Sequence, residues 1–334
     1  MLTSIHLKNF RALRDVKIEP LRRVNLIAGQ NDTGKTTVLE ALRILFSVPD
    51  AYQQATNPSF CGNLPNEFRG GSGLGDYNEV FWKWLLYNKD PKLVGEISAT
   101  FDGGKEFSLQ LGQDFSPNAE RQPFTAVGSL GVLQCYLFGQ PPDPPPKAEI
   151  FSSHPTDPNQ DALDYNRVIR KRGKRKVEAL LRKVNPRVES IEPIQTGQGQ
   201  APLIYVEVAG IPELIPVPQM GQGFNRLLSI YSEVIANEVN ILLIDEIENG
   251  LHYSVLPLVW EGLFNAVKEL DIQVFATTHS KECIGAADAA ARMSSSYELN
   301  LIRLDRVGEN GVVKATVMND KTLATAKELN WEMR

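Results

Sequence analysis

The residues with the types and spacing to handle a phosphorylated ligand begin at Gly29-Gln30-Asn31-Asp32-Thr33-Gly34-Lys35-Thr36, a G-x-x-x-x-G-K-T run. Glycines in such a loop let backbone N–H groups turn inward on phosphate oxygens, and a helix starting there adds the positive end of its dipole. Lys35 then supplies charge between the β- and γ-phosphates, Thr36 offers a hydroxyl to Mg²⁺, and Asn31, Asp32, Thr33, Gly34 and Thr37 form the wall. Far along the chain, Ile241-Leu242-Leu243-Ile244-Asp245-Glu246 is an apolar run closing on two acids. Asp245 suits a metal's coordination shell, and Glu246 suits a general base that activates water. Further on, Val274-Phe275-Ala276-Thr277-Thr278-His279-Ser280 brings His279 to a similar position, where it can meet a γ-phosphate or the attacking water.

Strands and helices must hold these groups together. Val24–Ala28 reads as a buried strand, and Val38, Ala41, Leu42, Leu45 and Phe46 recur at helical intervals behind the loop. The acids and His279 follow apolar strands, the arrangement by which open α/β sheets present ligands at strand C-termini. A second glycine-rich helix start, Met220-Gly221-Gln222-Gly223-Phe224-Asn225-Arg226, precedes Leu227, Leu228, Tyr231, Val234 and Ile235 at helical spacing. One triphosphate has no need of two such anion sites in one subunit. The economical solution is that this helix start caps the nucleotide held by a second copy of the chain.

Ile5 with Leu7, and Val16 with Ile18, predict two short strands before the loop strand, joined by a corner at Asn9-Phe10-Arg11. Arg11 or Arg14 there could meet a nucleotide's base or phosphate, or lie solvated in the turn. Pro49–Tyr77 reads as polar loop, with Gly70–Gly75 at its flexible end, and Phe81–Tyr87 as a short helix whose rings fill the core or pack a lid, stacking on a cofactor being the weaker reading. Val94–Leu111 alternates about Asp102-Gly103-Gly104, which predicts a hairpin extending the opening strands into an antiparallel layer. The Pro-rich text over 140–159 reads as a linker or exposed arm.

Residues 161–184 read as a basic helical arm carrying Arg167, Arg170, Lys171, Arg172, Lys174, Arg175, Lys176, Arg182 and Lys183, with Val168, Ile169, Val177, Leu180, Leu181 and Val184 giving it a partial buried face. A solvated face and a contact to the phosphate backbone of DNA are equally open for it. Val188–Ile194 and Leu203–Val208 then predict two strands. The net charge of −5 excludes a protein that coats nucleic acid indiscriminately, so any such contact is confined to a patch. Cys61, Cys135 and Cys283 lack metal or disulfide spacing, and no apolar run is long enough to span a membrane or to read as a leader. The expected location is the cytoplasm.

The order of motifs resembles the ABC-type ATPase heads of the SMC and RecF group. Asn9-Phe10-Arg11, Met220–Arg226 and Asp245-Glu246-Ile247-Glu248-Asn249-Gly250-Leu251-His252 are most similar to OLD (overcoming lysogenization defect) family ATPases. The likeness covers roughly residues 1–46 and 187–318, with 51–199 only loosely matched. It implies an α/β P-loop ATPase of ABC type, one head over 1–334 with a mixed central sheet, an antiparallel β layer and an inserted, partly helical arm. It implies Mg²⁺ and ATP, an ATP-dependent head-to-head dimer or higher oligomer, and Gly221, Gln222, Gly223 and Asn249 acting in trans. A DNA-related output follows from the same resemblance, as the ATPase subunit of an anti-phage or anti-plasmid defence system. The stretch after His279 is too short for a TOPRIM domain, so a separate TOPRIM-type nuclease is the expected effector. A RecF-like repair ATPase and a non-turnover, ATP-bound scaffold restraining a toxin or nuclease are the alternatives. The signature lacks LSGGQ and no Q-loop glutamine is assigned between Thr37 and Gly221, which disfavours a transporter subunit.

Overall fold

The computed structural model describes residues 1–53, 84–113, 125–130, 133–139, 142–151, 158–195, 202–308 and 311–328. The expectations for Cys61, Gly70–Gly75 and residues 81–83 fall outside them. The chain opens with β1 (Leu2–Phe10) and β2 (Leu13–Ile18), antiparallel about the Asn9–Arg11 corner, then β3 (Val24–Gly29), buried along its whole length. Helix α1 (Lys35–Gln53) begins within the phosphate loop and continues through Pro49, where the polar text predicts a loop. Proline removes one backbone donor and crowds the carbonyl four residues back, here in the last turns of the helix.

β4 (Gly95–Phe101) and β5 (Glu106–Gly112) form the expected hairpin, with Gly103 and Gly104 at φ 81° and 75° in its turn. β6 (Thr125–Leu130) and β7 (Leu133–Gly139) extend it, giving an antiparallel sheet of order β2-β1-β4-β5-β7-β6. β8 (Ala148–Phe151) corrects the linker reading of 140–159. It pairs in parallel with the acid-bearing strand and forms one edge of the central sheet. A strand of four residues behind a proline run is too short to show a period, and an edge position tolerates prolines just before it.

The basic arm is likewise corrected. It is two helices, α2 (Pro158–Arg170) and α3 (Lys174–Val184), broken where Arg172 takes φ 59° and Gly173 follows. Val168, Val177, Leu180 and Leu181 are buried in the core, so these helices are part of the body. A Cβ at Gly173 would lie 2.6 Å from Ile235 Cγ2, which explains the glycine at the break. β9 (Val188–Ile194), β10 (Leu203–Val208) and β11 (Ile215–Pro216) make a small antiparallel sheet beside them.

The second half supplies α4 (Gln222–Asn237), β12 (Ile241–Ile244), α5 (Leu256–Leu270), β13 (Gln273–Thr278), α6 (Lys281–Met293), β14 (Leu299–Val307), β15 (Val312–Met318) and α7 (Asp320–Glu328). The central sheet runs β15-β14-β3-β13-β12-β8, parallel except for β15. Its strands alternate between two cores. Leu26, Leu242 and Val274 face the helical core of α2 to α6, while Ile27, Leu243 and Phe275 face α1 and the antiparallel sheet. Both faces are therefore covered, as a parallel sheet requires. β13 lies between β3 and β12, so its C-terminal end opens between the phosphate loop and the acids.

Candidate nucleotide site

The phosphate loop is pinned before any ligand arrives. A Cβ on Gly29 would lie 2.5 Å from Leu304 O and 2.8 Å from Thr33 Oγ1, and one on Gly34, at φ 89°, would lie 2.7 Å from Leu13 Cδ2. Only glycine fits these two close approaches. Thr33 Oγ1 donates to Gln30 O at 2.9 Å, and Lys35 Nζ donates to the carbonyls of Gly29 and Gln30 at 2.9 and 2.8 Å. The ammonium thus bonds its own loop. Burial pushes its pKa below the usual lysine value, and the negative charges of Asp245, Glu246, Glu248 and Asp32 oppose that shift.

Thr36 Oγ1 donates to Asp245 Oδ1 at 3.1 Å, joining the start of α1 to the end of β12 across 209 residues of sequence. Thr277 Oγ1 donates to the same oxygen at 2.6 Å and accepts from the Glu246 N–H at 2.8 Å. Glu246 sits at φ 45°, a left-handed conformation that costs a non-glycine residue about 1 kcal/mol or more. His279 Nε2 stands 3.6 Å from Glu246 Oε1, and the His279 N–H donates to Glu248 Oε1 at 2.7 Å. Arg306 Nη2 donates to Asp32 O at 2.5 Å, tying β14 to the loop.

One cleft of about 950 Å³ is lined in common by Asn31, Lys35, Thr36, Asp245, Glu246 and His279. The cradle, the acid pair and His279, read from separate segments, therefore converge. Asp32, Gly34 and Thr37 line the cleft too, and Thr33 braces it from below as a buried side chain. Arg11 reaches the cleft but is not a solvated turn residue: its Nε stands 2.7 Å from Glu40 Oε2 in a buried pair on α1. Thr277, Glu248 and Arg306 were missed by sequence reasoning. A third acid two residues beyond Glu246 was a usable signal for Glu248. None existed for Arg306.

Gly221, Gln222, Gly223 and Asn249 do not line their own subunit's cleft. Gly221 and Gln222 are exposed at the start of α4, whereas Gly223 is buried, its would-be Cβ 2.3 Å from Val255 Cγ1. Close packing is thus one reason for that glycine. The Thr36 hydroxyl beside a carboxylate is a hard-oxygen set that fits Mg²⁺, a cation that takes few protein ligands and fills its shell with water and phosphate. No helix among the described residues is long and apolar enough to cross a membrane.

A family model described as "AAA ATPase domain" matches residues 1–94, which hold the cradle, and one described as "AAA domain, putative AbiEii toxin, Type IV TA system" matches residues 213–284, which hold the acids and His279. An ATP/GTP phosphatase of Helicobacter pylori is 24% identical over 87% of this chain and 89% of its own length. A DNA replication and repair protein RecF of Prosthecochloris aestuarii is 27% identical over 41% of this chain and 31% of its own. The fold is similar to an SMC head domain with an extended coiled coil, bound to the C-terminal domain of ScpA and derived from Pyrococcus furiosus. The TM-score is 0.56 at 12% identity, covering 98% of this chain and 99% of that one. The chain has the α/β P-loop fold of SMC heads. Its matches support the SMC/RecF group of ABC-type ATPases.

Proposed function

We propose that this cleft binds ATP with Mg²⁺ and hydrolyses it, and that two copies close head to head over two nucleotides. The observation that carries the reading is the contact of Thr36 with Asp245, which puts the cradle and the acid pair on one ligand-sized space. Lys35 leaves its loop carbonyls for the phosphates. Glu246 takes the proton of a water as its oxygen bonds to the γ-phosphorus and the bond to the β,γ-bridging oxygen breaks, releasing ADP and phosphate. His279, beside Glu246, orients that water or senses the γ-phosphate. Mg²⁺, held through Thr36 and Asp245, would neutralise developing phosphate charge. The name of the Helicobacter relative supports hydrolysis of ATP or GTP.

The exposed Gly221-Gln222 helix start, with Asn249 in the turn where its N–H donates to Glu246 O at 2.8 Å, is the surface offered to the partner copy's nucleotide. The biological output follows from the OLD-like motif order: an ATPase subunit of an anti-phage or anti-plasmid system working with a separate TOPRIM-type nuclease. A match described by a toxin–antitoxin family over 213–284 supports a defence setting. The partial RecF likeness favours a second reading, a DNA-repair ATPase. DNA contact through the basic helices narrows to Arg170, Arg172, Arg175 and Lys176. The other five cations form ion pairs: Arg167 with Asp164, Lys171 with Glu238, Lys174 with Glu192, and Arg182 and Lys183 with Glu178 and Glu269.

Phosphate release from ATP, measured with Mg²⁺ for the purified protein and for Lys35→Ala, tests the core of this reading. Turnover that Lys35→Ala abolishes is expected, and turnover unchanged by that substitution contradicts it. Isolation of the native complex tests the output, with a bound nuclease as the expected result.

A further inference from the structure

One wall of the cleft is built by a stretch that the hydrolytic chemistry does not use. Leu86 pairs with Phe10 in an antiparallel bridge, and the Arg11 N–H donates to Leu85 O at 2.8 Å, clamping residues 84–86 to the corner between β1 and β2. Leu85 and Leu86 are buried, which fixes the register and turns Trp84 outward at 48% exposure. Trp84 lines the same cleft as Lys35, Thr36 and Asp245. The single turn that follows holds Asn88 and Lys89 at φ 53° and 55°, a left-handed conformation that Asn adopts readily and Lys does not, and sets Lys89 Nζ 3.2 Å from the centroid of the Trp84 ring.

The corner that carries this wall is anchored to α1 through Arg11 and Glu40. Glu40 lies four residues beyond Thr36 on α1, which is about 6 Å along the helix axis. An aromatic face thus stands on the wall of the same cleft that holds the cradle, within a space large enough for more than three phosphates. An exposed indole in a polar cleft has little packing value, since half its surface remains in water. Its use is the π-face, which Lys89 covers in this structure.

We propose that Trp84 is the platform on which the base of the bound nucleotide stacks, with Lys89 as a displaceable cover. The proposal rests on the nucleotide reading of the cleft and adds its base subsite. An exposed cation–π contact is worth about 2- to 5-fold in an equilibrium, whereas stacking a base on an aromatic side chain is worth about 5- to 150-fold. The base therefore displaces the ammonium. A π-face reads no hydrogen-bonding edge, so adenine and guanine nucleotides bind with affinities within a few-fold of each other.

Equilibrium binding of ATP, GTP and inorganic tripolyphosphate, each with Mg²⁺, to the full chain and to Trp84→Ala, Trp84→Phe and Lys89→Ala tests this. Trp84→Ala should weaken ATP and GTP about 5- to 150-fold and leave tripolyphosphate within twofold. Trp84→Phe should recover most of the loss, and Lys89→Ala should bind ATP at least as well as the parent. Equal ATP affinity in Trp84→Ala, while Lys35→Ala loses it, overturns the platform and leaves the nucleotide reading standing. Equal weakening of ATP and tripolyphosphate by Trp84→Ala overturns it as well, because the residue is then structural. A parent protein that binds neither compound overturns the nucleotide reading itself.

Discussion

Thr277 Oγ1 lies 2.6 Å from Asp245 Oδ1, and the same hydroxyl accepts the Glu246 N–H, so one strand-end side chain fixes both acids of the neighbouring strand. Replacing it with valine keeps the shape and removes both bonds. An unmet hydrogen bond of this kind costs about 1–3 kcal/mol. If that loss falls on the reacting geometry, kcat for ATP hydrolysis drops about 5- to 150-fold in Thr277→Val. Steady-state kinetics check it, with KM within a few-fold because the Lys35 cradle is untouched.

Glu248 acts at one remove. Its carboxylate holds the backbone N–H that positions His279 at 2.7 Å, and it sits in the turn leading to Asn249. Glu248→Ala should lower kcat without weakening ATP binding, and Glu248→Gln, which keeps an acceptor oxygen, should recover most of it. A purely structural role would instead move thermal stability and affinity together.

The conformation of the loop is a separate test. Gly34 combines φ 89° with 2.7 Å from its would-be Cβ to Leu13 Cδ2. Gly34→Ala should therefore cost about 1–3 kcal/mol of stability by strain and overpacking. Denaturant unfolding reads the cost, and ATP affinity should fall with it.

Glu233 on α4 gives a pH signature away from the cleft. Burial first, then the negative charges of Asp164 and Glu149, push its carboxyl up to about 7. The folded state holds a proton there that the unfolded chain has released above about 4.5. Stability from this group is thus full below about 4.5 and is lost as pH rises toward and through about 7. Glu233→Gln should be more stable than the parent at pH 8 than at pH 5, relative to each parent value, by midpoint denaturation at the two pH values.

What could be read from the sequence was local. Gly29–Thr36 carries its chemistry and its strand-loop-helix context within a few residues, and Asp245-Glu246 closes an unmistakable apolar run. Thr277 could not be read, because its partners lie 31 and 32 positions away and its role exists only once β13 is paired beside β12. β8 was hidden for a related reason: a four-residue strand earns its place through parallel pairing with β12, which leaves no periodic mark. In the basic stretch the apolar spacing of Val177, Leu180 and Leu181 was legible as a buried face, whereas the acids opposite its cations, Glu238 and Glu269, lie far along the chain and left no local mark.

The most direct measurement is ATP turnover and ATP retention by Glu246→Gln, with the solution mass taken in the same sample. The account predicts hydrolysis reduced about 10²- to 10⁴-fold, ATP still bound with Mg²⁺, and a mass that doubles only when ATP is present. Hydrolysis by Glu246→Gln at the parent rate would contradict it.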